Sequence, residues 1–131
     1  TGLASLLGEL EAEIMHLIWD ETDPLTVRDV LNAVNRRRAT PTAYTTILTV
    51  MARLTHKGLL QRELVGVTHR YRARLTEAQF LRDATEQVAR RMIQDFGSLA
   101  IAGFISAVDA ADPAQLQQLR ELLKETREGD V

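Results

Sequence analysis

The spacing of apolar residues changes from a helical period to a period of two within the first 75 residues, and this change constrains the fold most. The helical period predicts three amphipathic helices, over residues 9–19, 27–36 and 40–57. From residue 60 to residue 75, apolar and polar residues alternate on either side of Gly66. Alternation of this kind around a glycine predicts a β-hairpin after the third helix.

Short polar residues and glycines indicate where these helices begin and end. Thr26 followed by Asp29 resembles a capping box at the start of the second helix. Thr40 and the proline after it predict the start of the third helix, because a hydroxyl caps free amides and proline loses no donor at the first position. Lys57 and the glycine after it predict its end.

The rest of the chain is predicted to be helical throughout. Thr76 and Gln79 form a full capping box that opens a long helix through Phe96. A Gly-Ser pair breaks that helix, and the uncharged residues 99–108 predict a buried helix. Asp112, followed by proline, caps a last helix. We therefore expect a mainly α protein with one small β-hairpin.

The element order divides the chain into two predicted domains, residues 1–75 and 76–131. Three helices followed by a hairpin is the order of a winged helix-turn-helix domain, which binds DNA. The helices of the second domain carry more apolar surface than one chain can cover, so we expect a second copy of the chain to cover it as a homodimer. The candidate dimerisation residues are Leu81, Val88, Met92, Phe96, Ile101, Phe104, Ile105, Leu116, Leu119 and Leu123.

Charge is distributed very unevenly along the 131 residues, although the net charge is only −2. Residues 1–25 carry six acids and no base, whereas residues 26–75 carry ten Lys or Arg against two acids, a charge of +8. Residues 76–131 carry six bases against ten acids. A positive charge confined to one block predicts a local contact with a polyanion, and a solvated basic face is the alternative.

The third helix and the hairpin carry the side chains that duplex DNA requires. Threonine supplies short hydrogen-bonding groups and a methyl for thymine, and arginine supplies a guanine reader or a phosphate contact. The second hairpin strand has one face of arginines, which suits phosphates and is also typical of a solvated edge strand. Tyr44 is either a DNA contact or a residue that packs the helix against its own domain. The candidate DNA contacts are Thr26, Arg28, Arg38, Thr42, Tyr44, Thr45, Thr46, Thr49, Arg53, Arg70 and Arg72.

The residues present do not support a metal site, an enzyme active site or a membrane span. The chain has no cysteine, its three histidines lie far apart, and no nucleophile with a base or phosphate loop is present. We therefore expect no metal, no cofactor and no enzymatic activity. No apolar stretch reaches the length of a membrane span, and acids interrupt the amino-terminal segment where a signal peptide would be apolar. The sequence predicts a cytoplasmic protein that does not contact the membrane.

Five segments of the first domain resemble the penicillinase repressor family of the BlaI/MecI type. They are residues 7–19, 25–31, 43–49, 53–54 and 57–60, of which 43–49 reads Ala-Tyr-Thr-Thr-Ile-Leu-Thr. Within this family the chain resembles the mycobacterial member. The resemblance implies a homodimeric repressor of β-lactamase, and hence antibiotic-resistance, genes that binds a palindromic operator. It covers the whole winged domain, and the second half matches in layout more than in residues.

Two departures limit what the resemblance implies. Copper-responsive relatives carry a cysteine cluster that this chain lacks. Staphylococcal relatives are induced by proteolysis at an Asn-Phe bond, which implies a sensor protease or its downstream signal as a partner. Here the residues before the three phenylalanines are Gln79, Asp95 and Gly103, so the inducing step stays open. The alternatives are a winged-helix module that binds protein and a ligand-sensing repressor of another winged family.

Overall fold

The computed structural model describes residues 2–129, except for the side chains of residues 122, 123 and 125–129. Within that part the chain forms seven helices and one two-stranded antiparallel sheet. In chain order the elements are α1 Gly2–Leu6, α2 Glu9–Asp20, α3 Val27–Asn35, α4 Tyr44–His56, β1 Leu60–Val65, β2 Thr68–Ala73, α5 Glu77–Phe96, α6 Ser98–Asp109 and α7 Pro113–Gly129.

Most of the predicted elements are confirmed. The first two predicted helices are α2 and α3, and Thr26 caps α3 as predicted, with its hydroxyl accepting from Asp29 N at 3.0 Å. The capping box of Thr76 and Gln79 opens α5, which ends at Phe96 as expected. The short helix α1 has no counterpart in the sequence prediction.

The predicted start of the third helix at Thr40 is wrong, because α4 begins at Tyr44. The side chain of Asn35 holds the backbone of Thr42 by two hydrogen bonds: Thr42 N donates to Asn35 Oδ1 at 2.8 Å, and Asn35 Nδ2 donates to Thr42 O at 3.1 Å. These bonds keep the backbone before residue 43 outside the helix. The amino end of α4 is therefore bound to the end of α3 by a tertiary contact.

The first core lies among α2, α3, α4 and the hairpin. Each of these helices presents one apolar stripe to the others, and α1 adds Leu3. Burying one such aliphatic side chain contributes roughly 1.5–3 kcal/mol, so the stripes fix how the three helices pack. The most deeply buried side chains are Ile14, Met15, Val30, Val34, Ile47, Met51, Leu54, Leu60 and Tyr71.

The hairpin has one face toward this core and one toward solvent. Leu60 lies opposite Ala73 and Arg62 lies opposite Tyr71, and Tyr71 is 2% exposed. Tyr71 also exchanges two backbone hydrogen bonds with Leu25, so the segment before α3 extends the sheet by one bridge. Gly66, at φ 65°, provides the left-handed backbone of the turn. The core thus holds the hairpin beside α3 and α4.

The start of α5 belongs to the first of two compact units, which cover residues 1–85 and 86–131. Trp19 Nε1 donates to Leu75 O at 2.9 Å, and the Trp19 ring lies 6.2 Å from the ring of Phe80. Leu81, one of the candidate dimerisation residues, packs against the core of the first unit. The unit therefore extends ten residues beyond the domain boundary predicted from the sequence.

The second unit contains the end of α5 together with α6 and α7. Gly97, at φ 59°, separates α5 from α6, and Asp112 caps α7 by accepting from Gln115 N at 2.9 Å. The helix predicted over residues 99–108 is confirmed as α6, but its predicted burial is wrong for a single chain. Phe104, for example, is 62% exposed. The described elements of the chain leave much of α6 uncovered.

Candidate nucleic-acid interface

The outward face of α4 carries the hydroxyl-rich residues singled out in the sequence. Thr45, Thr46, Thr49 and Arg53 are all exposed. On the opposite side of the same helix a continuous stripe is buried in the core, namely Ile47, Val50, Met51 and Leu54. Because burial of this stripe fixes the rotation of the helix, the threonines are held toward solvent by packing.

A hydrogen bond to the backbone of α4 orders the hydroxyl of Thr49 on this face. Thr49 Oγ1 donates to Thr45 O at 2.8 Å, one turn earlier in the helix. This bond uses the hydroxyl hydrogen, so the exposed side chain of Thr49 keeps the lone pairs of its Oγ1 as acceptors and its methyl group for apolar contact. Thr42 lies just before α4 and is half-buried, with its backbone held by Asn35.

Tyr44 lies at the first position of α4 and is 40% exposed. The guanidinium carbon of Arg28, from the first turn of α3, lies 4.9 Å from the centroid of the Tyr44 ring. A cation over an aromatic face at this distance is a cation–π contact. The structure therefore joins two candidate DNA contacts, Arg28 and Tyr44, into one pair.

A groove of about 350 Å³ separates this pair from the tip of the hairpin. All of its lining residues come from the basic block of residues 26–75, and none of them is acidic. They are Thr26, Val27, Arg28, Tyr44, Leu48, Val67, Thr68, His69 and Tyr71.

The hairpin, called the wing from here on, presents arginines on its solvent face. Arg70 and Arg72 of β2 are exposed, and they share that face with Gln61 and Glu63 of β1. Arg72 Nη2 donates to Glu63 Oε2 at 2.7 Å. At the tip of the wing, Val67 is 98% exposed.

Two acids of the amino-terminal segment pair with cations at either end of α4, and sequence reasoning missed both contacts. Arg38 Nη2 lies 2.7 Å from Glu13 Oε2, in the loop before α4. Lys57 Nζ, at the carboxyl end of α4, lies 2.9 Å from Glu11 Oε2. The excess of acids in residues 1–25 was the only signal for these pairs.

Thr26, the remaining candidate DNA contact at the amino end of α3, already makes the two hydrogen bonds of a capping box. Thr26 N donates to Asp29 Oδ2 at 3.0 Å, and the Thr26 hydroxyl accepts from Asp29 N. Its hydroxyl hydrogen is the group left for another acceptor.

The second unit holds an apolar groove of about 720 Å³ between the end of α5 and α6. The described residues that line it are all uncharged, and four of the candidate dimerisation residues are among them: Met92, Phe96, Ile101 and Phe104. Val88 and Ile105 are exposed on the same helices, whereas Leu116 and Leu119 of α7 are half-buried. The side chain of Leu123 lies outside the described residues.

Among the side chains that the structure describes, no three His, Asp or Glu come together as metal ligands would. Within residues 2–129 no helix combines the length and the apolar character needed to cross a membrane.

The three packed helices, the outward hydroxyl face of the third and the arginine-bearing hairpin define a winged helix-turn-helix protein. Comparison with known protein families then identifies the family to which the chain belongs. The family model described as penicillinase repressor matches residues 7–125, and the chain belongs to this family. The family is one of repressors, which agrees with the predicted absence of an enzymatic function.

The transcriptional regulator BlaI from two strains of Mycobacterium tuberculosis is 43% identical over 65 residues. That alignment covers 50% of this chain and 46% of each relative, so the matched segment spans about half the length of those curated relatives.

Solved structures are more distantly similar. MepR, a transcription regulator of the Staphylococcus aureus multidrug efflux pump MepA, has a TM-score of 0.45 and 13% identity, over 94% of this chain and 79% of its own. A homodimeric winged helix-turn-helix DNA-binding domain from Mycobacterium bovis has a TM-score of 0.47 and 17% identity, over 71% of this chain and 80% of its own.

Proposed function

We propose that the protein is a transcriptional repressor that binds a palindromic operator as a homodimer and controls β-lactamase genes. The observation that carries the proposal is the orientation of α4, whose buried stripe turns Thr45, Thr49 and Arg53 outward along one ridge. Family membership and the similarity to BlaI support the target genes.

In this proposal α4 enters the major groove. The threonines contact base edges and thymine methyl groups, and Arg53 contacts a guanine or a phosphate. Arg70 and Arg72 of the wing bind phosphates beside the groove, as do Arg28 and Arg38. Binding obstructs transcription and requires no catalytic step.

The exposed apolar groove of the second unit supports the homodimer. An uncharged groove with exposed Phe96 and Phe104 is unfavourable in water, and a second copy would cover it. Two recognition helices related by a two-fold axis would then reach major grooves about 34–36 Å apart, which requires a palindromic site.

Footprinting on genomic DNA tests the proposal, because it reports the protected site, its symmetry and its neighbouring genes together. We expect a palindrome beside a β-lactamase gene. Protection without a preferred site, or none at all, would contradict the proposal and favour a module that binds protein.

A matched pair of variants tests which face of α4 reads the operator. Thr49 and Thr55 both donate their hydroxyl to the carbonyl four residues earlier, at 2.8 Å, but Thr49 is exposed and Thr55 is half-buried. We expect Thr49→Val to weaken operator binding about three- to tenfold, the worth of one hydrogen bond, and Thr55→Val to leave it unchanged. Equal effects of the two variants would argue against α4 as the recognition helix.

A further inference from the structure

The ordered partner of Arg28 is an aromatic ring, whereas the other arginines with an ordered partner near α4 and the wing have a carboxylate. Arg38 and Arg72 are held by carboxylates at 2.7 Å, whereas Arg28 rests on the ring of Tyr44 at 4.9 Å. The nearest acid in sequence, Asp29, is engaged with Thr26 N in the capping box. The aromatic ring orders Arg28 without neutralising its charge.

The surroundings of this pair suit a strand of nucleic acid backbone. Arg28 and Tyr44 form one wall of the 350 Å³ groove, and Val67, Thr68 and His69 at the tip of the wing form the other. Leu48, which is 39% exposed, adds apolar surface to the lining, and none of the described lining residues is a carboxylate. A sugar–phosphate strand offers an anion for a guanidinium and apolar deoxyribose edges for such surface.

We propose that this groove holds one strand of the DNA backbone, that Arg28 binds its phosphate, and that Tyr44 is a positioning residue for Arg28 and not a reader of bases. The inference rests on the proposed DNA-binding function and deepens it. It also assigns Val67, Thr68 and His69 to the walls of the same site.

The physical reason for a positioning residue is entropy. An arginine side chain loses rotamer freedom when it binds, and a partner that orders it beforehand reduces that loss. A carboxylate partner would order it too, but the carboxylate would compete with the phosphate for the guanidinium. The Tyr44 ring competes far less, because it attracts the guanidinium through its quadrupole and carries no net charge.

The test measures the affinity of the full chain for a random-sequence duplex over a range of salt concentrations. A random duplex is suitable because phosphate contacts do not depend on sequence. We expect Tyr44→Phe to bind like the wild type, because it keeps the aromatic ring. Tyr44→Leu should bind about two- to fivefold more weakly, which is the contribution of an exposed cation–π contact. The salt dependence of its binding should keep the wild-type slope, because Arg28 is still present. Arg28→Ala should lower the salt slope by about one, and Tyr44→Leu should have no further effect in that background.

Two further measurements separate positioning from a general structural role. Arg28→Lys leaves α4 untouched and keeps the charge, so we expect it to lose affinity as Tyr44→Leu does, with the slope retained. By NMR, the ring current of residue 44 should shift the Arg28 δ-methylene protons in the wild type and in Tyr44→Phe, but not in Tyr44→Leu. Thermal unfolding checks that each variant is folded.

The inference is overturned if Tyr44→Phe binds as weakly as Tyr44→Leu, because the hydroxyl then makes the contact itself. It is also overturned if the losses from Arg28→Ala and Tyr44→Leu add, since the two residues then act independently. Failure of the wild type to bind any DNA would refute the proposed function as well. DNA binding that Tyr44→Leu leaves unchanged would refute the positioning role alone.

Discussion

Glu63 Oε2 accepts a hydrogen bond from Arg72 Nη2 at 2.7 Å, diagonally across the solvent face of the wing. Residues 26–75 contain only two acids, and the other, Asp29, belongs to a capping box. Both members of the Glu63–Arg72 pair are more than half exposed. Since an exposed ion pair is worth only about 0–1 kcal/mol, a DNA phosphate is able to displace Glu63 from Arg72.

We expect Glu63→Gln to strengthen binding to DNA of any sequence about two- to fivefold, because Arg72 no longer has to exchange a carboxylate for a phosphate. Titration of a random duplex measures this. In the Arg72→Ala background the same substitution should change affinity little. A gain that persists in that background would show that Glu63 acts by general repulsion of the DNA and not through Arg72.

Arg53 and Arg72 should respond differently to truncation if α4 reads bases and the wing binds phosphates. Arg53→Ala should cost roughly 1–3 kcal/mol on the operator and relax the preference for it, if Arg53 contacts a base. Arg72→Ala should weaken all sequences alike and flatten the salt dependence. The affinity of each variant is measured on the footprinted site and on random DNA. If Arg53→Ala and Arg72→Ala each lose as much affinity on random DNA as on the footprinted site, α4 and the wing do not divide base reading and phosphate binding in this way.

The pair of Glu11 and Lys57 joins α2 to the carboxyl end of α4 and should matter for stability. The Glu11 side chain is 9% exposed, and its Oε1 also accepts from Gly8 N at 3.3 Å. Glu11→Gln leaves the Lys57 ammonium without its buried counter-charge, and we expect a loss of about 1–3 kcal/mol in urea unfolding.

Glu13→Gln is the matched control for that measurement. Glu13 lies on the same helix and also pairs with a cation, Arg38, but the Glu13 side chain is 28% accessible, compared with 9% for Glu11. We expect it to cost less than about 1 kcal/mol. If Glu13→Gln destabilised the protein as much as Glu11→Gln, burial of the carboxylate would not explain the effect.

The elements that the sequence predicts correctly are those with local signals. The periods of apolar residues and the capping boxes at Thr26 and Thr76 locate α3, α5 and the hairpin, because each signal lies within the element that it specifies. The outward side of α4 was also predictable, since its buried stripe defines the opposite face.

The errors arise where a tertiary contact replaces a local signal. Thr40 and the proline after it predict a helix start, but the two hydrogen bonds from Asn35 move that start to Tyr44. The contacts of Glu13 and Glu11 with cations join residues 25 and 46 positions apart. No period or motif encodes such pairs, so the sequence predicted Arg38 as a phosphate contact without its partner.

The apolar groove of the second unit should decide the oligomeric state. Phe104 lines that groove and is 62% exposed, whereas Ser106 lies on the same helix, exposed, outside the lining. A glutamate at position 104 would place two charges in an apolar interface, where burial of a charge is strongly unfavourable. We expect light scattering to show that Phe104→Glu is a monomer where the wild type is a dimer. Operator binding should weaken at least tenfold, because a monomer contacts only one half-site. Ser106→Glu should leave the dimer intact, and a wild type that is monomeric at operator-binding concentrations would contradict the homodimer.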